Sequence, residues 1–161
     1  MKIGFTGHRP PDLARTPAVL PQLLPACCEE IAARWPGAVW LCGGASGVDE
    51  AVAQQAIRLR QPFELHLPFP APVMWQEGYI DEASYRVLLG QMEQAAAVVH
   101  LHPAFDPHAY EARNHSLADN AELLIAFWNG NRQGGTFQTI AFARERGIPV
   151  MNGISGQLEE L

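Results

Sequence analysis

Residues 122–146, ELLIAFWNGNRQGGTFQTIAFARER, decide how the rest of the chain is read. Residues 123–128 are continuously apolar and stop at Asn129, Gly130 and Asn131. A short apolar run bounded by turn residues is the pattern of a strand buried on both faces. Gly134 and Gly135 follow, and then Phe137, Ile140, Ala141 and Ala143 recur at helical spacing. Gly147 ends that helix and Pro149 prevents its resumption. The order is strand, glycine loop, helix. A helix N-terminus carries unpaired N–H groups and a partial positive charge, and glycines let an anion approach the backbone. Gly134, Gly135 and Thr136 are therefore candidate phosphate ligands. The alternative is an ordinary turn between a strand and a helix, because short glycine motifs also arise by chance.

The same unit occurs earlier. Residues 38–42 read as a buried strand, Gly43, Gly44, Ala45, Ser46 and Gly47 as a glycine loop, and residues 48–60 as a helix with Val48, Val52, Ala56 and Leu59 inward. Ser46 is placed as an N-cap with Asp49 three residues on, the position of a capping-box acid. Asp49 or Glu50 could instead face a pocket, holding a sugar hydroxyl or serving as a general base. Ahead of this unit, residues 2–6 read as the first strand, ending at Gly7. His8, Arg9, Pro10 and Pro11 form a stiff loop at its carboxyl end, where Arg9 could clamp a phosphate. Residues 19–35 read as a helix that either starts near Pro25 or kinks there.

Residues 63–67 read as a third strand, followed by a proline-rich loop over 68–75 whose Trp75 could stack on a base or simply pack. Residues 81–94 read as a helix with Tyr85, Leu88, Leu89 and Met92 inward, and residues 96–101 as a fourth strand. A helix over 110–120 carries Arg113 and Asn114 near its start, where they could supply a guanidinium and an amide. Residues 149–152 form a sixth strand, and residues 153–161 read as a frayed polar tail. His100, His102, His108 and His115 match no compact metal motif, so no metal is expected. No cofactor is expected either.

Strands and helices alternate throughout, which predicts an α/β chain, a single Rossmann-like domain over residues 1–161. Its sheet is doubly wound and mostly parallel, with helices on both faces. Every loop from a strand to a helix then lies on one edge, collecting Gly7, His8, Arg9, the residue 43–47 loop, Trp75, Arg113, Asn114 and Gly134 to Thr136. Neither G-x-G-x-x-G nor G-x-x-x-x-G-K-[ST] is present, which argues against an ordinary NAD dehydrogenase or P-loop NTPase. The chain is acidic, with net charge −6, so a broad nucleic-acid surface is not expected and neither is an anionic membrane partner. Three cysteines in no paired spacing, and no long apolar N-terminal segment, suggest a reducing, cytoplasmic setting.

TGHRP (6–10), GGASGVDEAVAQQA (43–56), Pro68 and Phe69 with Trp75, RNHSLADNAELLIAFWNG (113–130) and GGTFQTIAFARERGIPV (134–150) together resemble the SLOG superfamily, named for the Smf/DprA DNA-processing proteins and the LOG proteins, and within it the YpsA-like branch. The resemblance implies a Rossmann-like fold, a nucleotide or nucleotide-derived ligand, and a homodimer. LOG enzymes are phosphoribohydrolases that cleave a nucleoside monophosphate, with a motif resembling P-G-G-x-G-T-x-x-E and an upstream Arg that Arg113 matches. The catalytic Glu is missing, and Gln138 and Thr139 stand in its neighbourhood. The leading expectation is therefore binding of a small phosphorylated, nucleotide-like ligand by a sensor or carrier. The alternative is a nucleotide N-glycosidase using Asp49 or Glu50, with Arg113 assisting. A third reading is a module that engages a DNA or protein partner.

Overall fold

The computed structural model describes residues 1–9 and 20–161. The prolines of the expected stiff loop, Pro10 and Pro11, and the expected helix start at Val19 lie outside these residues. Among the described residues the strands are β1 (Lys2–Gly7), β2 (Val39–Cys42), β3 (Phe63–Leu67), β4 (Ala97–His100), β5 (Leu123–Phe127), β6 (Val150–Asn152) and β7 (Glu159–Glu160). The helices are α1 (Leu20–Arg34), α2 (Val48–Arg58), α3 (Ala71–Gln76), α4 (Glu82–Gln94), α5 (Ala109–Asn120) and α6 (Gly135–Glu145). The sheet runs β4-β3-β2-β1-β5-β6-β7. All pairings are parallel except β6 with β7. This is the Rossmann-like, doubly wound arrangement the alternating pattern predicts. The chain steps outward from β1 to β4, then returns to β5 on the other side of β1. The switch point lies between β1 and β5.

The two faces carry different amounts of apolar packing. One buries Ile3, Phe5, Trp40, Leu65 and Leu67 with Cys27, Cys28 and Ile31 of α1 and Val52 and Ala56 of α2. The other is covered by α5 and α6, through Leu41, Leu117 and Ala121 and through Leu124, Ala126, Ile140 and Ala143. All five residues of β5 are buried, as a central strand covered on both faces requires. Cys27, Cys28 and Cys42 are buried free thiols, and burial lifts Cys27 to about 11 and Cys28 to about 12.

Several expectations are corrected. Residues 71–76 are helical rather than loop, because Pro70 caps α3 and Pro72 falls in its first turn, where no amide donor is needed. Pro25 lies inside a helix that continues through it from Leu20. Leu89 is 39% exposed rather than inward, because Leu88 and Gln91 form the buried stripe of α4. The tail is not frayed throughout, since Glu159 and Glu160 pair with β6.

A partly buried polar chain crosses the α5 face. The Lys2 ammonium donates to Glu64 at 2.8 Å, His66 Nε2 lies 3.2 Å from Glu64, and His66 Nδ1 lies 2.7 Å from the Ser116 hydroxyl. Burial lowers the His66 pKa from 6.5 despite the pull of Glu64. The folded protein therefore resists protonating His66, while the unfolded chain takes up the proton near 6.5. Stability from this group is complete above 6.5 and is lost as pH falls from there toward the folded value. The loss cannot exceed about 1.4 kcal/mol per pH unit for one proton. Glu64, held below 4.5, contributes only at lower pH. Urea unfolding at pH 7.5 and 5.5 should show a decline in the wild type that is smaller in His66→Gln. Equal declines would assign the pH dependence to other groups.

Candidate functional site

The carboxyl end of β1 and the start of α6 open into a cleft of about 700 Å³, a volume suited to a small ligand. It lies beside the switch point, where open α/β sheets take their ligands. Gly7, His8 and Arg9 reach it from the end of β1, Ala45 and Asp49 from β2 and α2. Arg113 and Asn114 come from α5, and Gly134, Gly135 and Thr136 from the start of α6.

The start of α6 is an open donor array. Gly134 is its N-cap at φ 91, a conformation that suits glycine, and no side chain caps the helix. Gln138 N–H donates to the Gly134 carbonyl, which leaves the N–H groups of Gly135, Thr136 and Phe137 without partners among the described residues. Beside them lies the Thr136 hydroxyl. Its residue is only 6% exposed, yet the hydroxyl has no hydrogen-bond partner among the described residues. Thr6 repeats this on the β1 wall, also 6% exposed with an unpaired hydroxyl. Buried polar groups left open toward a cavity are suited to a ligand's polar atoms.

The second glycine loop has a different role. Val48 N–H donates to the His8 carbonyl, Glu50 N–H to the Ala45 carbonyl, and Ala45 N–H to Asp49 Oδ2 at 3.3 Å. These amides of the loop and first turn of α2 are therefore spent within the protein. Asp49 closes the loop from inside α2, the N-cap is Gly47, and the expected Ser46 cap is absent. Gly43 and Gly44 do not line the cleft. Gly43 offers its carbonyl to Arg113, and Gly44, at φ 74, packs on Leu67. Ser46 and Glu50 also lie outside the lining, and the Glu50 carbonyl accepts from Gln91.

Arg113 is 7% exposed, and each of its three nitrogens has a partner. Nη1 donates to the Gly43 carbonyl at 2.6 Å and pairs with Asp49 at 3.5 Å, Nε donates to Asn114 Oδ1 at 2.9 Å, and Nη2 donates to the Tyr79 hydroxyl at 3.2 Å. The guanidinium expected at this edge is therefore present, but as a wall of the cleft held by the protein's own groups. Burial works against its charge, but Tyr79 and Asp49 outweigh that and raise its pKa. Burial also raises Asp49 above the ordinary carboxylate range, against the pull of Arg113. Among the described residues that line the cleft the other cation is Arg9, exposed at the rim with its guanidinium 4.9 Å from the centre of the Tyr79 ring.

Tyr79 and Tyr110 also line the cleft, with ring centres 4.6 Å apart. Sequence reading missed both as site residues, because the turn after α3 delivers Tyr79 from a segment read as loop. Trp75 takes no part. It is 43% exposed and stacks on Tyr85 at 4.9 Å, since α3 carries it away from the cleft. Thr139, one of the two residues in the neighbourhood of the missing LOG Glu, is buried and its hydroxyl donates to the Gly135 carbonyl. Among the described residues no three of His, Cys, Asp and Glu converge to hold a metal ion, and no helix is long and apolar enough to cross a membrane.

No family model matches the sequence, and no curated protein matches it. Solved structures do. DNA processing protein A (DprA) of Streptococcus pneumoniae superposes with a TM-score of 0.64 at 16% identity, over 92% of this chain and 49% of that one. DprA of Helicobacter pylori, whose structure describes a single-stranded DNA binding mode, gives 0.68 at 18% identity, over 94% and 64%. TM1055, a structural genomics target, gives 0.58 at 20% identity, over 92% and 71%. The chain thus spans about half the length of the S. pneumoniae protein. These neighbours share the fold; two of them are DprA proteins, one of the groups for which the SLOG superfamily is named, and the YpsA-like branch is unmatched among them. The expectation that nucleic acid is not a partner gains no support from neighbours that process or bind DNA.

Proposed function

We propose that the cleft binds a small phosphorylated, nucleotide-like ligand, with a phosphoryl group at the N-terminus of α6. The observation that carries this reading is the cluster of open donors: the N–H groups of Gly135, Thr136 and Phe137, the hydroxyls of Thr6 and Thr136, and the Arg9 guanidinium. A tetrahedral anion can accept from several of them at once. Among the described residues Asp49 is the one carboxylate lining the cleft, and in this reading it faces sugar hydroxyls or a base amine at the ligand's other end. The homodimer implied by the resemblance, and a cytoplasmic setting, belong to the same proposal.

Thermal-shift and calorimetric titration with 5′-AMP, ADP-ribose, NAD and cyclic AMP test it. Binding of at least one of them is expected, weakened about tenfold in Arg9→Ala, the size of one lost charge-assisted contact. No binding by any of the four, with Arg9→Ala indistinguishable from wild type, would overturn the proposal.

Two other readings have specific support. The buried Asp49, its pKa raised, favours a nucleotide N-glycosidase, because perturbed carboxyls mark catalytic sites. Release of free base from a nucleoside monophosphate, lost in Asp49→Asn, would establish it. The two DprA neighbours favour a DNA strand as the phosphate-bearing ligand. Salt-dependent anisotropy changes with oligo-dT, absent with mononucleotides, would favour that reading.

A further inference from the structure

The polarity of one side-chain amide in the cleft is fixed by the residues behind it. Arg113 Nε lies 2.9 Å from the Asn114 amide, and a guanidinium can only donate. The facing atom must therefore be the Asn114 oxygen, so Asn114 presents its NH₂ group on the other side. That group donates to Gln138 Oε1 at 3.0 Å. The Gln138 oxygen is thereby turned toward Asn114, and the other group of its amide, Nε2, is a donor. Gln138 lines the cleft one turn into α6, and no partner of Nε2 exists among the described residues. The chain runs in one direction, from the buried cation through two amides to a pair of N–H bonds at the cleft surface.

We propose that Gln138 determines specificity, its Nε2 donating to an acceptor oxygen of the phosphoryl group held at the start of α6. The inference rests on the binding reading above and adds to it the role of this residue and the sense of its hydrogen bond. The α6 side of the cleft then presents five donors: three backbone amides, the Thr136 hydroxyl and the Gln138 amide. A group rich in acceptors and poor in protons is selected there, as in a phosphate ester. A carboxylate at residue 138 would still accept from Asn114 but would turn an anionic oxygen toward the ligand. Gln138→Glu therefore keeps the internal hydrogen bond and inverts the group offered to the ligand.

The test is calorimetric titration of wild type, Gln138→Glu and Gln138→Met with 5′-AMP and with inorganic phosphate, after confirming unchanged thermal unfolding. Gln138→Glu should weaken both probes at least about tenfold, and Gln138→Met should fall between it and wild type. Asn114→Asp is a second route to the same end. Aspartate can accept from Arg113 but cannot donate, so Gln138 turns its oxygen to the cleft and binding weakens likewise. Binding of 5′-AMP that is equal in wild type, Gln138→Glu and Asn114→Asp would overturn this inference and leave the binding reading standing. Wild-type protein that binds neither probe would overturn the binding reading, and this inference with it.

Discussion

Arg113→Ala should lose about 3–5 kcal/mol of folding stability, the cost of breaking a buried ion pair by removing one partner. The change strips the Gly43 carbonyl, the Asn114 oxygen and the Tyr79 hydroxyl of their donor and leaves Asp49 buried with one amide contact, from Ala45. A domain of ordinary stability, about 5–15 kcal/mol, would keep only part of it. Urea unfolding at several pH values measures the effect, and its pH dependence identifies the cause. Asp49 already sits above the ordinary carboxylate range, and loss of Arg113 removes the main influence lowering it. The deficit should therefore be largest at neutral and alkaline pH and shrink as acid protonates Asp49. Asp49→Asn combined with Arg113→Met should recover part of the loss, since no buried charge is then stranded. A deficit below about 1 kcal/mol would mean that Arg113 is a solvated site residue and not a wall of the cleft.

Gly43→Ala should cost at least about 3 kcal/mol, the upper end of overpacking, although only one methyl is added. A Cβ there would sit 2.6 Å from both Arg113 Nη1 and Asp49 Oδ2, inside the ion pair. The pair is fixed on β2, α2 and α5, so neither partner can withdraw without giving up its other bonds. Gly90→Ala is the control. Its Cβ would meet nothing within 4 Å, and it lies inside α4, where alanine is the better helix former by about 0.5–1 kcal/mol. Thermal unfolding should move down for Gly43→Ala and slightly up for Gly90→Ala. Unchanged stability in Gly43→Ala would contradict the tight approach of these three groups.

The fold was legible because the apolar runs and their glycine stops are local signals. Leu123 through Phe127 could hardly be other than a central strand, and the alternation of strand and helix then puts all βα loops on one edge. That placed Arg9, Arg113 and the Gly134 turn together before any coordinates. The sequence could not separate two glycine loops with the same grammar. One leaves its helix amides open. The other spends its Val48 and Glu50 amides on the His8 and Ala45 carbonyls and its loop amide at Ala45 on Asp49, a difference set by partners distant in the chain or by a side chain folding back. That Arg113 serves as a wall could not be read for the same reason, since its bonds go to Gly43 and Tyr79, 70 and 34 residues away. Tyr79 and Tyr110 were hidden because neither belongs to a motif, and α3, which brings Tyr79 round, was obscured by its prolines.

The most direct measurement is a ¹⁵N-resolved titration of the assigned protein with 5′-AMP. The account predicts that the amide signals of Gly135, Thr136 and Phe137 move most and saturate together, while those of Val48 and Glu50, already bonded to carbonyls of the chain, move little. Saturable shifts centred on α2 with the α6 amides unmoved, or no saturable shift anywhere, would contradict it.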